Sequence, residues 1–221
     1  MKILMLCSGD RAPATRFRMY PFAKQLRQAG HRCRIADSFP QKYDWIPWLG
    51  FRPSQLLKRF VRCLHCVVSW IMRDEIVVVE REVLDHPSAI FEEWFRRHSR
   101  KLVLDLDDGV FLRYPEKFDR LVPMADLVIC GNADLEAWIA PRNQRTIIIP
   151  TCVEMAEYTQ KDWSAAAGRT VRIGWIGTTG NLKYIAVAAP ALRRLAENHD
   201  FEFHVIVPDS SPLKDVDLTG V

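Results

Sequence analysis

The sequence predicts an α/β chain: a doubly wound parallel sheet over residues 1–153, a linker over 154–170, and the truncated start of a second unit of the same kind over 171–221. Three observations predict it. Short runs of apolar residues recur along the chain and do not alternate with polar ones, as strands buried on both faces require. Segments of helical length and pattern separate these runs. The strand–loop–helix pattern also starts again at Val171, after a polar stretch without periodicity. Composition agrees: 48% hydrophobic and 26% charged residues over 221 positions suffice for one large domain or one and a half ordinary ones.

The elements follow in order. KILMLCS (2–8) is a strand, and a helix runs from about Arg16 to Ala29, ended by Gly30. HRCRIADSF (31–39) is a strand, followed by an irregular Pro/Trp-rich segment. Ser54 is placed to cap a long helix over 55–73. EIVVVEREV (75–83) is a strand, with a helix from Ser88 to Ser99. KLVLDLDD (101–108) is a strand, with a helix over 115–124. ADLVICGN (125–132) is a strand whose Asn132 caps the helix 133–140, and RTIIIPTCV (145–153) closes the first sheet. In the second unit VRIGWIG (171–177) and FEFHVIVP (201–208) are strands around a helix from Leu182 to Asn198.

The net charge of +4 comes without a basic block or a basic stripe interleaved with aromatics, so nucleic acid is not an expected partner. Met1 leads directly into a strand pattern, without the basic start and cleavage site of a signal peptide, and no apolar run reaches bilayer length. A cytoplasmic setting is expected. Cys7, Cys33, Cys130 and Cys152 lie in apolar, strand-like contexts, and Cys63 and Cys66 form a lone pair short of the four ligands zinc takes. Packing is the expected role of all six.

Four stretches resemble group 1 (family 4-like) GT-B glycosyltransferases. They are ATRFRMYPFAKQLRQAGH (14–31); VVVEREV (77–83) with LDLDDGVF (104–111); ADLVICGNADLEAWI (125–139) followed by IIIPTCVE (147–154); and VRIGWIGTTGNLKYI (171–185). Their order and spacing cover essentially the whole chain. Thr151-Cys152 stands where the family has Asn-Gly at the hinge. The resemblance implies two Rossmann-like domains, an acceptor-side domain and a donor-side domain of which only the start is present. It implies sugar transfer from a nucleotide-sugar to a glycan or lipid-linked acceptor. It also implies retention of configuration, no metal, and no cofactor beyond the nucleotide-sugar substrate. The family's donor signature, two glutamates about eight residues apart, has no counterpart here. The expectation is therefore a fragment of a longer enzyme, or else a natural short form that binds a glycan or a partner without catalysis.

Ligands bind at the carboxyl ends of strands in open parallel sheets, and that rule selects the candidates. After the first strand these are Gly9, Asp10, Arg16 and Arg18, where a cation near a helix start suggests an anionic partner, the alternative being an ion pair with Asp107 or Glu80. Arg81 and Glu82 end another strand, and a bidentate Arg81–carboxylate pair would brace the acidic cluster. Asp107 and Asp108 are the catalytic candidates: a carboxylate there orients an acceptor hydroxyl or takes its proton. The spacing of Asp105 and Asp107 would also suit Mg²⁺, and a loop-fixing role is a further alternative. Gly177, Thr178, Thr179, Gly180, Asn181 and Lys183 form the candidate donor-phosphate loop, the alternative being an ordinary turn with Asn181 as cap. Finally, helix 55–73 is basic and strongly apolar. Much of it is expected to pack on the sheet, and peripheral contact with the inner face of a membrane is the accompanying hypothesis.

Overall fold

A computed structural model describes residues 1–160 and 170–220. Contacts divide the chain into two compact units, Met1–Tyr158 and Thr159–Val221. The division falls a few residues beyond the domain end expected at 153, because a short turn at Met155–Glu157 and the Lys24–Glu154 ion pair belong to the first unit. Most of the expected linker lies outside the described residues.

The first unit holds six strands: β1 Lys2–Cys7, β2 Arg32–Asp37, β3 Ile76–Glu80, β4 Lys101–Leu106, β5 Leu127–Cys130 and β6 Thr146–Ile148. All pair in parallel, in the order β2-β1-β3-β4-β5-β6. The helices between them are α1 Tyr20–Gln28, α2 Phe51–Met72, α3 Ile90–His98, α4 Pro115–Met124 and α5 Ala133–Ile139. The path turns one way from β1 to β2 and the other way thereafter. Right-handed crossovers therefore put α1 on one face and α2 to α5 on the other.

The core follows this division. Ile3, Met5, Cys7 and Val78 pack under Met19 and Ala23 on the α1 side. Leu4, Leu6, Val77, Val79, Leu102, Leu104 and Val128 pack under Phe95, Phe118 and Leu121 on the other side. Two-residue alternation within each strand supplies both layers. Cys152 and Cys63 are exposed, against the expectation that every cysteine packs inside.

Two helix starts differ from the sequence reading. The first helix opens with a wide π-type turn, Thr15–Met19, whose inward residues are Thr15, Arg18 and Met19. The second begins at Phe51, not after Ser54. Gly50, at φ 85°, makes the turn into it, and Pro53 falls in the first turn where it loses no helical bond. Ser54 is thus inside the helix, donating to the Gly50 carbonyl at 2.6 Å and accepting from the Ile46 N–H at 3.0 Å. Asn132 does cap α5, accepting from the Leu135 N–H at 2.9 Å.

The expectation that the apolar side of this second helix packs on the sheet is overturned. Its buried residues are Ser54, Lys58, Arg62, Cys66 and Ser69. Arg62 donates to the Cys7 and Ala36 carbonyls at 2.7 and 2.8 Å, and Lys58 to the Lys42 carbonyl at 2.7 Å. Backbone groups at the strand ends and in the segment after β2 need partners, and α2 supplies them from its inward face.

The second unit pairs β7 Val171–Ile176 with β8 Phe201–Ile206 in parallel, through a 3₁₀ turn Thr179–Tyr184 and helix α6 Ile185–Ala196. Leu182, Ile185, Ala189 and Leu192 are its buried apolar residues.

Candidate functional site

The strand order reverses between β1 and β3, so the loops after them diverge and open a crevice at their carboxyl ends. Glu80 lies in that crevice, 1% exposed. It accepts from the Ser8 N–H at 3.1 Å and the Thr15 hydroxyl at 2.5 Å, tying the first loop to the end of β3. Gly9 follows at φ 121°, with the Gln41 side chain 2.8 Å from where a Cβ would sit. Gln41 also bonds the Asp10 carboxylate and receives the Arg11 N–H. The Gly9–Asp10 loop and the segment after β2 together wall a cavity of about 820 Å³, with Tyr20, Asp37 and Trp45 among its lining.

The acidic cluster at the end of β4 is held by two arginines. Arg18 reaches Asp105 through Nε at 2.8 Å and Nη2 at 2.5 Å, and its Nη1 donates to the Ile149 carbonyl at 2.8 Å and Thr151 Oγ1 at 3.2 Å. The pair is fully inside, with side chains 2% and 3% exposed. The alternative partners Asp107 and Glu80 are thus replaced by Asp105, and Arg18, expected to meet an anionic ligand, is engaged in joining β4 to the end of β6. Arg16 stays exposed beside the Phe17 ring.

Arg81 takes a left-handed conformation at φ 62°, turning its side chain back across the end of β4. Its Nε and Nη2 hold Asp107 at 2.6 and 2.9 Å, and Nη2 lies 2.9 Å from Asp108. This is the bidentate brace that the sequence suggested. Positive φ in a non-glycine residue is a strained backbone state typical of functional sites. Burial pushes the Asp107 carboxyl up, but the bonds and charge of Arg81 outweigh it and hold it below the usual carboxylate range. Asp108 differs. Burial raises it above the usual range against the Arg81 charge, and its side chain remains 48% exposed. Of the two catalytic candidates, Asp108 is the one with a reachable carboxylate. Glu82 is buried in an ion pair with Lys42, 3.3 Å away. Asp105 and Asp107 each sit on a separate guanidinium, an arrangement unlike a shared Mg²⁺ site. Among the described residues no group of three or more acidic, His or Cys side chains is arranged to hold a metal ion.

Sequence reasoning missed three supports of this cluster. Tyr43 brings its hydroxyl within 3.4 Å of Arg81 Nη1. Buried Lys42 donates to the Glu80 and Glu82 carbonyls. Gly131 lies so close that an added Cβ would be 3.0 Å from Asp107 Cα. The glycine directly after a strand was a visible signal; Lys42 and Tyr43, in an irregular segment, offered none.

In the second unit Thr178 precedes the 3₁₀ turn and Asn181 lies inside it, its N–H given to the Thr178 carbonyl at 2.9 Å. The alternative of Asn181 as helix cap is therefore set aside. Gly177 lies under the Trp175 ring, while the space beside Gly180 is open to 4 Å. Lys183 is exposed over the Tyr184 ring.

No protein-family model matches the sequence, and no curated protein matches it. Solved structures do match. One is described as trehalose-6-phosphate from E. coli bound with UDP-2-fluoro glucose: it is 12% identical, with 97% of this chain and 67% of that chain covered at a TM-score of 0.59. UDP-GlcNAc 2-epimerase from Neisseria meningitidis bound to UDP-GlcNAc is 12% identical over 100% and 71% of the two chains, TM-score 0.60. An alpha-glucosyltransferase in complex with UDP-glucose and DNA containing an abasic site is 12% identical over 99% and 60%, TM-score 0.58. The chain spans about two thirds of the length of these structures. At such identity the match shows the fold, and the fold is that of GT-B proteins: α/β, Rossmann-like, with a parallel six-stranded sheet in the first unit.

Proposed function

We propose that this chain is the acceptor-side domain and the beginning of the donor-side domain of a GT-B glycosyltransferase, part of a longer enzyme that moves a sugar from a nucleotide-sugar to a glycan or lipid-linked acceptor. The observation that carries the reading is the Asp107–Arg81–Asp108 cluster at the carboxyl end of β4, in the crevice-bearing half of a fold shared with UDP-sugar-bound structures.

In this reading Arg81 fixes Asp107 as a brace. Asp108, exposed and with its carboxyl raised, accepts a hydrogen bond from the acceptor hydroxyl and takes its proton as the glycosidic bond forms. The Gly9–Asp10 loop and the segment after β2 belong to the acceptor side in this reading. On the donor side Thr178, Thr179 and Lys183 meet the charge of the departing diphosphate, and Gly180 lets a ligand approach the backbone. Catalysis in this reading is mainly positioning and electrostatics, without a metal.

The test is sugar transfer by the full-length protein, encoded by the reading frame extended beyond Val221. Asp108→Asn is expected to cut transfer about a hundredfold, with nucleotide binding unchanged. Asp107→Asn, which weakens the brace, is expected to cost less. Unaltered transfer by Asp108→Asn would reject its role. A wild-type protein that binds glycan but never turns over would assign the chain to the non-catalytic alternative.

A further inference from the structure

Helix α2 is inside out. A surface helix ordinarily buries its apolar stripe and shows its charges to water. Here the inward row is Ser54, Lys58, Arg62, Cys66 and Ser69. The outward residues include Leu56 at 64% exposure, Phe60 at 59% and Ile71 at 61%. With Leu64 and Val67 between them they form an apolar band along a 22-residue helix, about 33 Å long at helical rise. Aromatic rings stand at both ends: exposed Trp48 and Phe51 at the start, Trp70 at the finish. Soluble surfaces rarely carry so continuous an apolar strip without a partner.

We infer that α2 lies flat on an anionic lipid bilayer, its outer face buried at the headgroup boundary. Charge selects this occupant. The helix contains no Asp or Glu, and Arg52, Arg59 and the capping Arg73 are exposed. Of the acidic neighbours, Asp74 is paired with Arg34, Asp44 with Arg11 and Asp85 with Arg113; Glu75, just past the helix, is exposed. A second copy of this chain fits poorly, because two such helices in either direction bring arginines together with no acidic side chain on the helix to receive them. Spanning is excluded for this helix: none of the described helices is long and apolar enough to cross a membrane. Amphipathic helices with a basic margin and Trp or Phe on the apolar side lie in the interface plane instead.

A consequence rests on the transferase reading. A cavity of about 500 Å³ lies at the start of α2, lined by Tyr43, Trp45, Phe51, Leu56, Arg59 and His86. It joins the lipid-facing residues Phe51 and Leu56 to Tyr43, whose hydroxyl meets Arg81. Docking through α2 would present a lipid-linked acceptor at this entrance, with Arg59 placed for its phosphate.

Flotation with vesicles of phosphatidylcholine, alone or mixed with phosphatidylglycerol, tests the docking without any assay of transfer. The whole chain is expected to float with the anionic vesicles and to be released by salt. Phe60→Ser with Leu64→Ser should lower partitioning at least about tenfold. Arg52→Ser with Arg59→Ser should lower it about fivefold per arginine and only on anionic vesicles. All four side chains are outside the core, so circular dichroism and the melting temperature should not change. Failure to float at low salt overturns the inference and leaves the transferase reading standing, as does binding indifferent to the Phe60 and Leu64 changes. A concentration-dependent dimer in light scattering, abolished by those same changes, would give the face to a second copy and also overturn it.

Discussion

Arg18→Met removes the guanidinium while keeping most of the side-chain volume. In the folded protein that guanidinium makes four hydrogen bonds: two to Asp105, one to the Ile149 carbonyl and one to Thr151 Oγ1. Both partners of the ion pair are almost wholly inside, so screening by water does not discount the loss. The variant leaves a buried carboxylate with its charge uncompensated and a strand-end carbonyl without its donor. Breaking one side of a buried pair costs about 3–5 kcal/mol. Against a total stability of about 5–15 kcal/mol, that is a large fraction. It corresponds to a fall in melting temperature of roughly 6–20 °C for a chain of this size. The assay is urea unfolding followed by circular dichroism, on the wild type, Arg18→Met, Asp105→Leu and the double variant. The double variant replaces the pair with apolar groups and is expected to recover most of the loss, since a buried pair exchanged for hydrophobic side chains is near neutral. A cost for Arg18→Met below about 1 kcal/mol, the level of an exposed ion pair, would refute the reasoning. So would a double variant as unstable as the sum of the two single ones.

Two further predictions concern stability. Gly131→Ala puts a methyl group 3.0 Å from Asp107 Cα and 3.2 Å from its carbonyl oxygen, both backbone atoms that cannot swing away. The expected loss is about 1–3 kcal/mol, read as a lowered melting temperature; an unchanged melting curve would show that the end of β4 yields freely. His65 is pushed from its ordinary 6.5 to about 4 by burial and then by the charges of Arg62 and Arg34. The unfolded chain therefore takes up the proton first, and the stability contributed by neutral His65 is complete above pH 6.5 and declines as pH falls toward 4. Discounted for partial exposure, the change is about 1–2 kcal/mol. His65→Gln should lose less stability than the wild type between pH 7 and pH 4 in parallel urea titrations, and equal slopes would contradict the assignment.

Much of the fold was legible because strand burial leaves a direct mark on sequence. Unbroken runs such as KILMLC and IVVV are read as strands covered on both sides, and the chain forms them there. Pro115 to Met124 was legible as a helix from its opening proline, and Asn132 as a cap from the turn chemistry of its side chain. Arg81 was legible as a brace because it ends one strand while the Asp107–Asp108 pair follows a neighbouring one. The start of α2 was not: the side chain of Ser54 marked it as the cap, whereas the helix begins at Phe51, after the turn made by Gly50 at φ 85°. The partner of Arg18 was equally hidden: the sequence reading offered Asp107 or Glu80, and the inward turn at Thr15–Met19 brings Arg18 to Asp105 instead.

The sequence by itself therefore determined the alternation of strands and helices, the restart at Val171 and the placement of acidic residues at strand ends, because periodicity and turn chemistry act over a few residues. Tertiary structure alone decided which charges are buried and which apolar residues are not. Lys58 and Arg62 turn inward because carbonyls 16 and 26 residues away in sequence, that of Lys42 in the segment after β2 and that of Ala36 near the end of β2, need donors, and the apolar side of the same helix is turned outward as a result. Local pattern says that a helix has two faces; the bonding requirements of the surface beneath it say which face is buried.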